Sequence, residues 1–189
     1  MGKNFKIASI LGSIALVCAL LIALVNMLTA NTIASNNSKK ELNTIQAIFS
    51  DYDASKSQEQ EANDSYIEKK IKASDSNGKV LGYLYTVSGK NAYGSISLMV
   101  AIVDDKVYQV EFLENNQSFA STVYTYLKTT YPSSADTAVH VGAYSSTDVK
   151  INSLTKDAVT NVDVSCGATY GATLIKNLVL AALNDGREA

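Results

Sequence analysis

The chain has 189 residues, which is enough for one domain with its own hydrophobic core and for an additional anchor. Its 16 basic and 18 acidic residues give a formal net charge of −2, so the basic face that a nucleic-acid partner requires is not expected. One histidine and two cysteines are too few ligands for a Cys/His metal site, and we predict no bound metal.

An uncharged apolar run occupies residues 7–30. A helix that spans a bilayer needs about 20 apolar residues, so the run predicts one N-terminal transmembrane helix. A cleaved signal peptide is the alternative, although its apolar part usually has only about 7–15 residues. Lys3 and Lys6 precede the run, and positive charge favours the cytoplasmic side. We therefore expect a single-pass protein of the cell membrane, with a cytoplasmic N-terminus and an extracytoplasmic C-terminal domain.

Residues 31–65 are predicted to form a stalk and a helix between the anchor (1–30) and the folded domain (66–189). The polar residues 31–40 suit a short stalk. Leu42, Ile45 and Phe49 recur at helical spacing and predict a helix over residues 39–50. Residues 51–64 are rich in Ser, Gln, Glu and Asp, so we expect a solvated loop or a loose helix there.

The folded domain begins with four predicted strands. Asn77-Gly78 is the preferred pair for a tight hairpin turn, because both positions tolerate a positive φ. It separates strands predicted over residues 66–73 and 80–88. A second hairpin joins residues 95–103 to residues 107–113 across Asp104-Asp105.

Two helices are predicted after the strands. Ser118 is placed to cap a helix that ends near Thr130, just before Pro132. Residues 140–151 are expected to form a strand and a turn. A last helix over residues 170–183 carries an apolar stripe and stops at Asp185-Gly186. The fold class is therefore α+β, an antiparallel or mixed sheet with packed helices, preceded by the transmembrane helix.

The residues most informative about function are 163–170, which read DVSCGATY. Small residues let a bulky group approach the backbone, and a hydroxyl follows at the start of the last helix. The free N–H groups and the positive dipole end of a helix N-terminus suit a phosphate. A plain capped helix start is the alternative reading of the same residues.

This stretch resembles the flavinylation motif of the FMN-binding domain family. That family includes the C subunit of the Na+-translocating NADH:quinone oxidoreductase and the G subunit of the Rnf complex. Its motif is Asp, two variable residues, Ser or Thr, Gly, Ala and Thr. Asp163, Gly167, Ala168 and Thr169 match it in register, and Cys166 stands where Ser or Thr is usual.

The resemblance implies that FMN is esterified through its phosphate to Thr169. A membrane-associated flavin transferase makes this bond in the family, with FAD as the donor and Mg²⁺ as its cofactor, and the motif aspartate takes part in recognition. The cofactor-binding residues that we predict are Thr169, Asp163, Ser165, Cys166, Gly167, Ala168, Tyr170 and Thr173. Cys166 is either a plain buried small residue or a reactive thiol at a helix N-terminus.

The similarity extends over residues 82–183 and includes the Gly/Tyr-rich start of a strand at Tyr93-Gly94. The loop at residues 114–118 departs from the family, which often has Glu-Thr followed by Pro-Gly, whereas this chain has Gln117-Ser118-Phe119. Among the tyrosines, Tyr83, Tyr85, Tyr93 and Tyr170 are candidates for stacking on a flavin ring.

The function that the resemblance implies is electron transport on covalent FMN, with other electron-transport subunits as partners in an Rnf-type ion-translocating complex. In that case the chain is a redox carrier and not a complete enzyme by itself. Two alternatives stay open: a stand-alone extracellular electron-transfer flavoprotein, and a non-redox anchored binding module that has lost the flavin.

Overall fold

The computed structural model describes residues 2–133 and 154–186. The chain divides into two compact units, Met1–Leu42 and Asn43–Ala189. The strand and turn predicted over residues 140–151, with His140, lie outside the described residues. The predicted division into an anchor (1–30), a stalk with a helix (31–65) and a folded domain (66–189) stays a prediction.

The first element is a continuous helix, α1 (Gly2–Ile48). Within it, Ile7–Met27 is 21 residues long with a mean hydropathy of 2.7, which is long and apolar enough to cross a membrane. The predicted stalk over residues 31–40 is helical, and the helix predicted over residues 39–50 is its continuation and not a separate element. The reason is that no Pro or Gly interrupts residues 31–50.

The second unit is built on a five-stranded antiparallel sheet in which neighbours in sequence are neighbours in space. Its strands are β1 (Gln58–Gln60), β2 (Ile67–Ser74), β3 (Val80–Asn91), β4 (Gly94–Val103) and β5 (Lys106–Asn115). The expectation of a loop or loose helix over residues 51–64 was wrong for β1, because Gln58 and Gln60 pair with Lys72 and Lys70 at the sheet edge.

The two predicted hairpin turns differ in their geometry. Asp104 and Asp105 have φ values of 50° and 57°, as a two-residue type I′ turn requires. The predicted tight turn at Asn77-Gly78 was wrong in its type: Ser74 pairs with Val80, so five residues connect β2 and β3, and of Asn77 and Gly78 only Gly78 takes a positive φ, of 81°. The Asp75 carboxylate accepts from the N–H groups of Asn77 and Lys79, both at 2.9 Å, and this stabilises the wider turn.

Three helices are found in the described part of the second unit: α2 (Ala120–Thr130), α3 (Lys156–Thr160) and α4 (Thr169–Asn184). The predicted apolar stripe of α4 is confirmed, since Leu174, Ile175, Leu178, Val179 and Ala182 are all buried. The predicted Ser118 cap was wrong: Phe119 is the N-cap residue of α2, and no side chain caps it. The Ser118 hydroxyl instead donates to the carbonyl of Tyr93, at 3.2 Å.

The sheet is buried on both faces. One face packs against the three helices through a core that includes Tyr85, Leu98, Leu127 and Ile175. The other face carries a smaller core in which Leu84 and Met99 pack with Ile45 and Phe49. The fold is α+β, as predicted, with an antiparallel sheet.

The C-terminal end of α4 is fixed to the sheet by a buried ion pair. The Lys70 ammonium lies 2.8 Å from the Asp185 carboxylate, and both side chains are almost completely buried. Lys70 also donates to the carbonyl of Gly186, and Asp185 accepts from the N–H of Asn63 at 3.2 Å. These bonds compensate the buried charges and connect the end of α4 to β2.

Candidate functional site

Residues 163–168 form a compact turn between α3 and α4. The Asp163 carboxylate accepts from the N–H of Ser165 at 2.7 Å, and the N–H of Cys166 donates to the carbonyl of Val164 at 2.9 Å. Ala168 is the N-cap residue of α4, so the backbone enters the helix directly from this turn. The backbone and side-chain donors of Ser165 lower the pKa of the exposed Asp163 carboxyl, which is therefore ionised at neutral pH.

Thr169 is the first residue of α4, and its side chain is exposed. Its hydroxyl donates to the carbonyl of Cys166 at 2.8 Å, so its proton is directed at that carbonyl and its oxygen lone pairs stay accessible. The N–H groups of Gly171 and Ala172 both donate to the carbonyl of Ala168. The backbone N–H groups of Thr169 and Tyr170 have no acceptor within α4, because the first N–H groups of any helix lack an intrahelical partner.

A pocket of about 260 Å³ opens beside Thr169. Its lining combines the start of α4, the first half of α2, the loop before α2 and the β3–β4 turn: Tyr93, Gln117, Phe119, Val123, Gly167, Ala168, Thr169, Tyr170 and Gly171. Four of these residues are buried and form the inner wall, namely Gln117, Val123, Ala168 and Gly171. The other five are exposed and form the rim.

Three of the five rim residues carry aromatic rings. Tyr93, Phe119 and Tyr170 are 42%, 56% and 66% exposed, so a large part of each ring faces solvent at the pocket opening. The rings of Tyr93 and Tyr170 lie 5.2 Å apart, centroid to centroid, with 38° between their planes. The side-chain amide of Asn91 donates to the carbonyl of Tyr170 at 3.0 Å and so fixes the β3–β4 turn to the start of α4.

The loop before α2 is held against the same turn. The N–H of Ser118 donates to the carbonyl of Tyr93 at 2.9 Å, and the Gln117 amide Nε2 donates to the carbonyl of Gly94 at 2.6 Å. Gly94 has a φ of +136°, and a Cβ there would lie 2.0 Å from the carbonyl oxygen of Asn116. Only glycine permits this close approach of the two backbone segments.

Gly171 has a similar role in the inner wall. A Cβ on Gly171 would lie 2.5 Å from Cγ2 of Val123, so α4 crosses α2 here at a distance that a larger residue would not allow. By contrast, a Cβ on Gly167 would meet only Thr122 Cγ2, at 3.6 Å.

The predicted site residues separate into two groups. Gly167, Ala168, Thr169 and Tyr170 line the pocket. Asp163, Ser165, Cys166 and Thr173 are not among its lining residues; Thr173 is exposed one turn further along α4, and half-buried Cys166 packs against the main core. Their assignment as cofactor-binding residues stays a prediction.

The tyrosine candidates also separate. Tyr83 and Tyr85 are buried in the sheet core, so they present no free ring face to a ligand. Tyr93 and Tyr170 lie at the pocket rim. Four pocket residues were not predicted from the sequence, because they come from separate elements and share no spacing with the motif: Gln117, Phe119, Val123 and Gly171. The sequence carries one indication of the role of Gly171: a glycine inside a helical pattern often marks a close packing contact.

Comparison with known proteins concerns the N-terminal part of the chain. A family model described as the RnfG N-terminal region matches residues 4–48. No curated protein matches the chain. The matched residues coincide with almost all of α1 and end before β1, so the resemblance of residues 82–183 to an FMN-binding domain stays a prediction. Over residues 4–48, the chain resembles the G subunit of the Rnf complex.

Proposed function

We propose that the chain is a membrane-anchored, extracytoplasmic flavoprotein that carries electrons on an FMN joined covalently to Thr169, as a subunit of an Rnf-type complex. The observation that carries the proposal is the position of the Thr169 hydroxyl, which is exposed at a pocket with an aromatic rim. The chain is then a redox carrier and works with other electron-transport subunits.

Anchoring and orientation are supported by the N-terminal helix. Ile7–Met27 is long and apolar enough to span a membrane, and the Rnf G-subunit likeness covers the same helix. Lys3 and Lys6 precede the span and favour a cytoplasmic N-terminus. The pocket of the second unit is then on the extracytoplasmic side.

The residues at the pocket fit the chemistry of FMN. A phosphate on Thr169 lies at the N-terminus of α4, where the helix dipole and first-turn N–H groups stabilise negative charge. The exposed rings of Tyr93, Phe119 and Tyr170 offer faces for a flat aromatic group. The pocket volume of about 260 Å³ is slightly below the roughly 300–1,000 Å³ of typical ligand sites.

Attachment requires the Thr169 oxygen as the nucleophile. Thr169 Oγ1 forms a phosphoester bond with the FMN phosphorus of FAD, the pyrophosphate bond breaks, AMP leaves, and the hydroxyl proton passes to the flavin transferase. The hydrogen bond to the carbonyl of Cys166 orients the hydroxyl before that reaction. Bound FMN supplies one- and two-electron redox chemistry, while the protein supplies attachment and orientation.

The position of Cys166 bears on the non-redox alternative. Cys166 departs from the motif, but its side chain packs against the core and does not line the pocket. The substitution therefore leaves the pocket lining unchanged, and the backbone carbonyl that accepts from Thr169 is present whatever the side chain. This favours retention of the flavin.

The proposal is tested by producing the full-length chain together with a flavin transferase, beside Thr169→Ala and Thr160→Ala variants. Thr160 is an exposed threonine of α3 that neither lines the pocket nor belongs to the predicted site, so it controls for the loss of a hydroxyl. We expect a mass gain of FMN less one water, and in-gel flavin fluorescence, in the wild type and in Thr160→Ala only. An unmodified wild type, with the transferase active on a control substrate, would favour the non-redox module.

Membership of a complex is tested separately. Co-purification of the flavinylated chain with several polytopic membrane subunits supports an Rnf-type assembly. Isolation of the chain alone from native membranes supports the stand-alone carrier.

A further inference from the structure

Gln117 contributes the one polar side chain of the buried inner wall of the pocket. Its side chain is 6% exposed, and its neighbours in that wall are Val123, Ala168 and Gly171. A buried amide among apolar atoms is costly unless its hydrogen-bonding groups are satisfied.

The orientation of the Gln117 amide is fixed by its partner. Nε2 donates to the carbonyl of Gly94 at 2.6 Å, and a carbonyl only accepts, so the reverse orientation of the amide would lose this bond. Oε1 therefore points away from Gly94. It lies 3.4 Å from the position that a Cβ on Gly171 would take, next to another residue of the inner wall.

A flat ring that enters the pocket removes water from this oxygen. The loss of water is unfavourable unless the ring itself donates a hydrogen bond to Oε1. The two ends of an isoalloxazine differ in this respect: the pyrimidine edge carries an N–H at N3 between two carbonyls, whereas the opposite edge carries two methyl groups. At the inner wall, Gln117 Oε1 would therefore favour the pyrimidine edge, which donates a hydrogen bond, over the methyl-bearing edge, which does not.

We propose that Gln117 is a positioning residue for the flavin ring and accepts a hydrogen bond from its N3–H through Oε1. This inference rests on the proposed function. The pyrimidine edge would then face the inner wall, and the dimethylbenzene edge would be left toward the exposed rim residues Tyr93 and Phe119. Gln117 belongs to the loop in which this chain departs from the FMN-binding family.

The test uses the full-length chain loaded by the transferase with flavin labelled with ¹⁵N at N3. In the wild type we expect the N3 proton to exchange with solvent roughly tenfold more slowly than in free FMN, as one net hydrogen bond of about 1.4 kcal/mol implies. Gln117→Met keeps the length of the side chain and removes the acceptor, so exchange should accelerate toward the free value. Ser118→Ala, in the same loop but outside the pocket lining, should behave as the wild type.

The outcomes separate the two proposals. A wild type that gains no FMN mass overturns the proposed function and, with it, this inference. A loaded wild type whose N3 proton exchanges as fast as in free FMN overturns the role of Gln117 alone, and this measurement requires no variant to fold. Equal protection in the wild type and in Gln117→Met also overturns it.

Discussion

The ring of Tyr93, in the turn between β3 and β4, lies 5.2 Å from the ring of Tyr170, the second residue of α4. The contact joins two segments that are far apart in the sequence, and it stands directly beside Thr169. Together with the bond from Asn91 to the carbonyl of Tyr170, it connects the sheet to the start of the helix that carries the candidate attachment residue.

Replacing Tyr170 with Leu should raise the native-state fluorescence of the attached flavin. A tyrosine ring stacked on an isoalloxazine quenches its emission, and Tyr170 offers the most exposed ring at the rim. Tyr124→Leu is the matched control, because Tyr124 is also an exposed tyrosine in contact with another aromatic ring but does not line the pocket. Fluorescence is compared at equal FMN loading, before and after denaturation. Identical native emission in the two variants would contradict a stacking role for Tyr170.

Gly171→Ala should destabilise the protein. The new methyl group would lie 2.5 Å from Val123 Cγ2, and overpacking of this kind costs about 1–3 kcal/mol. The better helix propensity of Ala returns up to about 1 kcal/mol, so we expect a net loss of up to about 2 kcal/mol in urea unfolding.

Gly167→Ala is the control for that variant, since its methyl group meets only Thr122 Cγ2 at 3.6 Å and should change stability by less than about 0.5 kcal/mol. Shortening the opposing side chain in a Val123→Ala/Gly171→Ala double variant should relieve the clash. Strictly additive effects in that cycle would show that the contact is not the cause.

Two substitutions of Asp163 distinguish its charge from its role in the turn. Asn can still accept from the N–H of Ser165, so Asp163→Asn should keep the turn without the charge, whereas Asp163→Ala loses both. If the transferase recognises the charge, both variants should lose most FMN loading, measured by intact mass. Normal loading of Asp163→Asn would show that the turn is what matters.

The Asp163 carboxyl should titrate below its ordinary pKa of 3.8. The Ser165 donors stabilise the carboxylate in the folded state only, so the folded pKa lies below the unfolded one. The resulting contribution to stability is fully present above the unfolded pKa and is lost as the pH falls through the folded pKa. The Asp163 carboxyl carbon, followed by NMR against pH, gives the midpoint.

Ser165→Ala provides the comparison for this titration. It removes the side-chain donor and keeps the backbone N–H, so the midpoint should move only part of the way back toward 3.8. A wild-type midpoint at or above 3.8 would contradict the assignment.

Lys70→Met should destabilise the second unit by about 3–5 kcal/mol, because it leaves the buried Asp185 carboxylate without its cation. Removing both charges in Lys70→Met/Asp185→Leu should recover a large part of that loss. Lys72→Met, two residues along the same strand and only half-buried, should have an effect within about 0.5 kcal/mol. The free energies of unfolding of the wild type and the three variants are measured by urea unfolding, with the m-value required to stay constant. Equal effects of Lys70→Met and Lys72→Met would rule out the buried pair as a stabilising feature.

Local sequence patterns were sufficient for much of the fold. Alternating apolar residues and the Asp104-Asp105 pair located β3, β4 and β5 to within a few residues, because strand periodicity and a two-residue turn are local properties. The apolar stripe of α4 was predicted correctly because helical periodicity is also a local property. β1 was missed because Gln58, Glu59 and Gln60 carry no hydrophobic signal, and only pairing with β2 makes them a strand.

The sequence by itself determined the apolar span in α1, the α+β class and the position of Thr169 at a helix start, since each depends on residues that are close in the chain. Only the tertiary structure decided which groups meet at that threonine. Tyr93, Gln117 and Val123 come from a turn, a loop and a second helix, and the close contacts at Gly94 and Gly171 bring them together. Tyr83 and Tyr85 resemble Tyr93 in sequence, but burial in the sheet core removes them from the site. A pocket is formed by contacts between distant segments, and no local pattern in one segment encodes the position of the others.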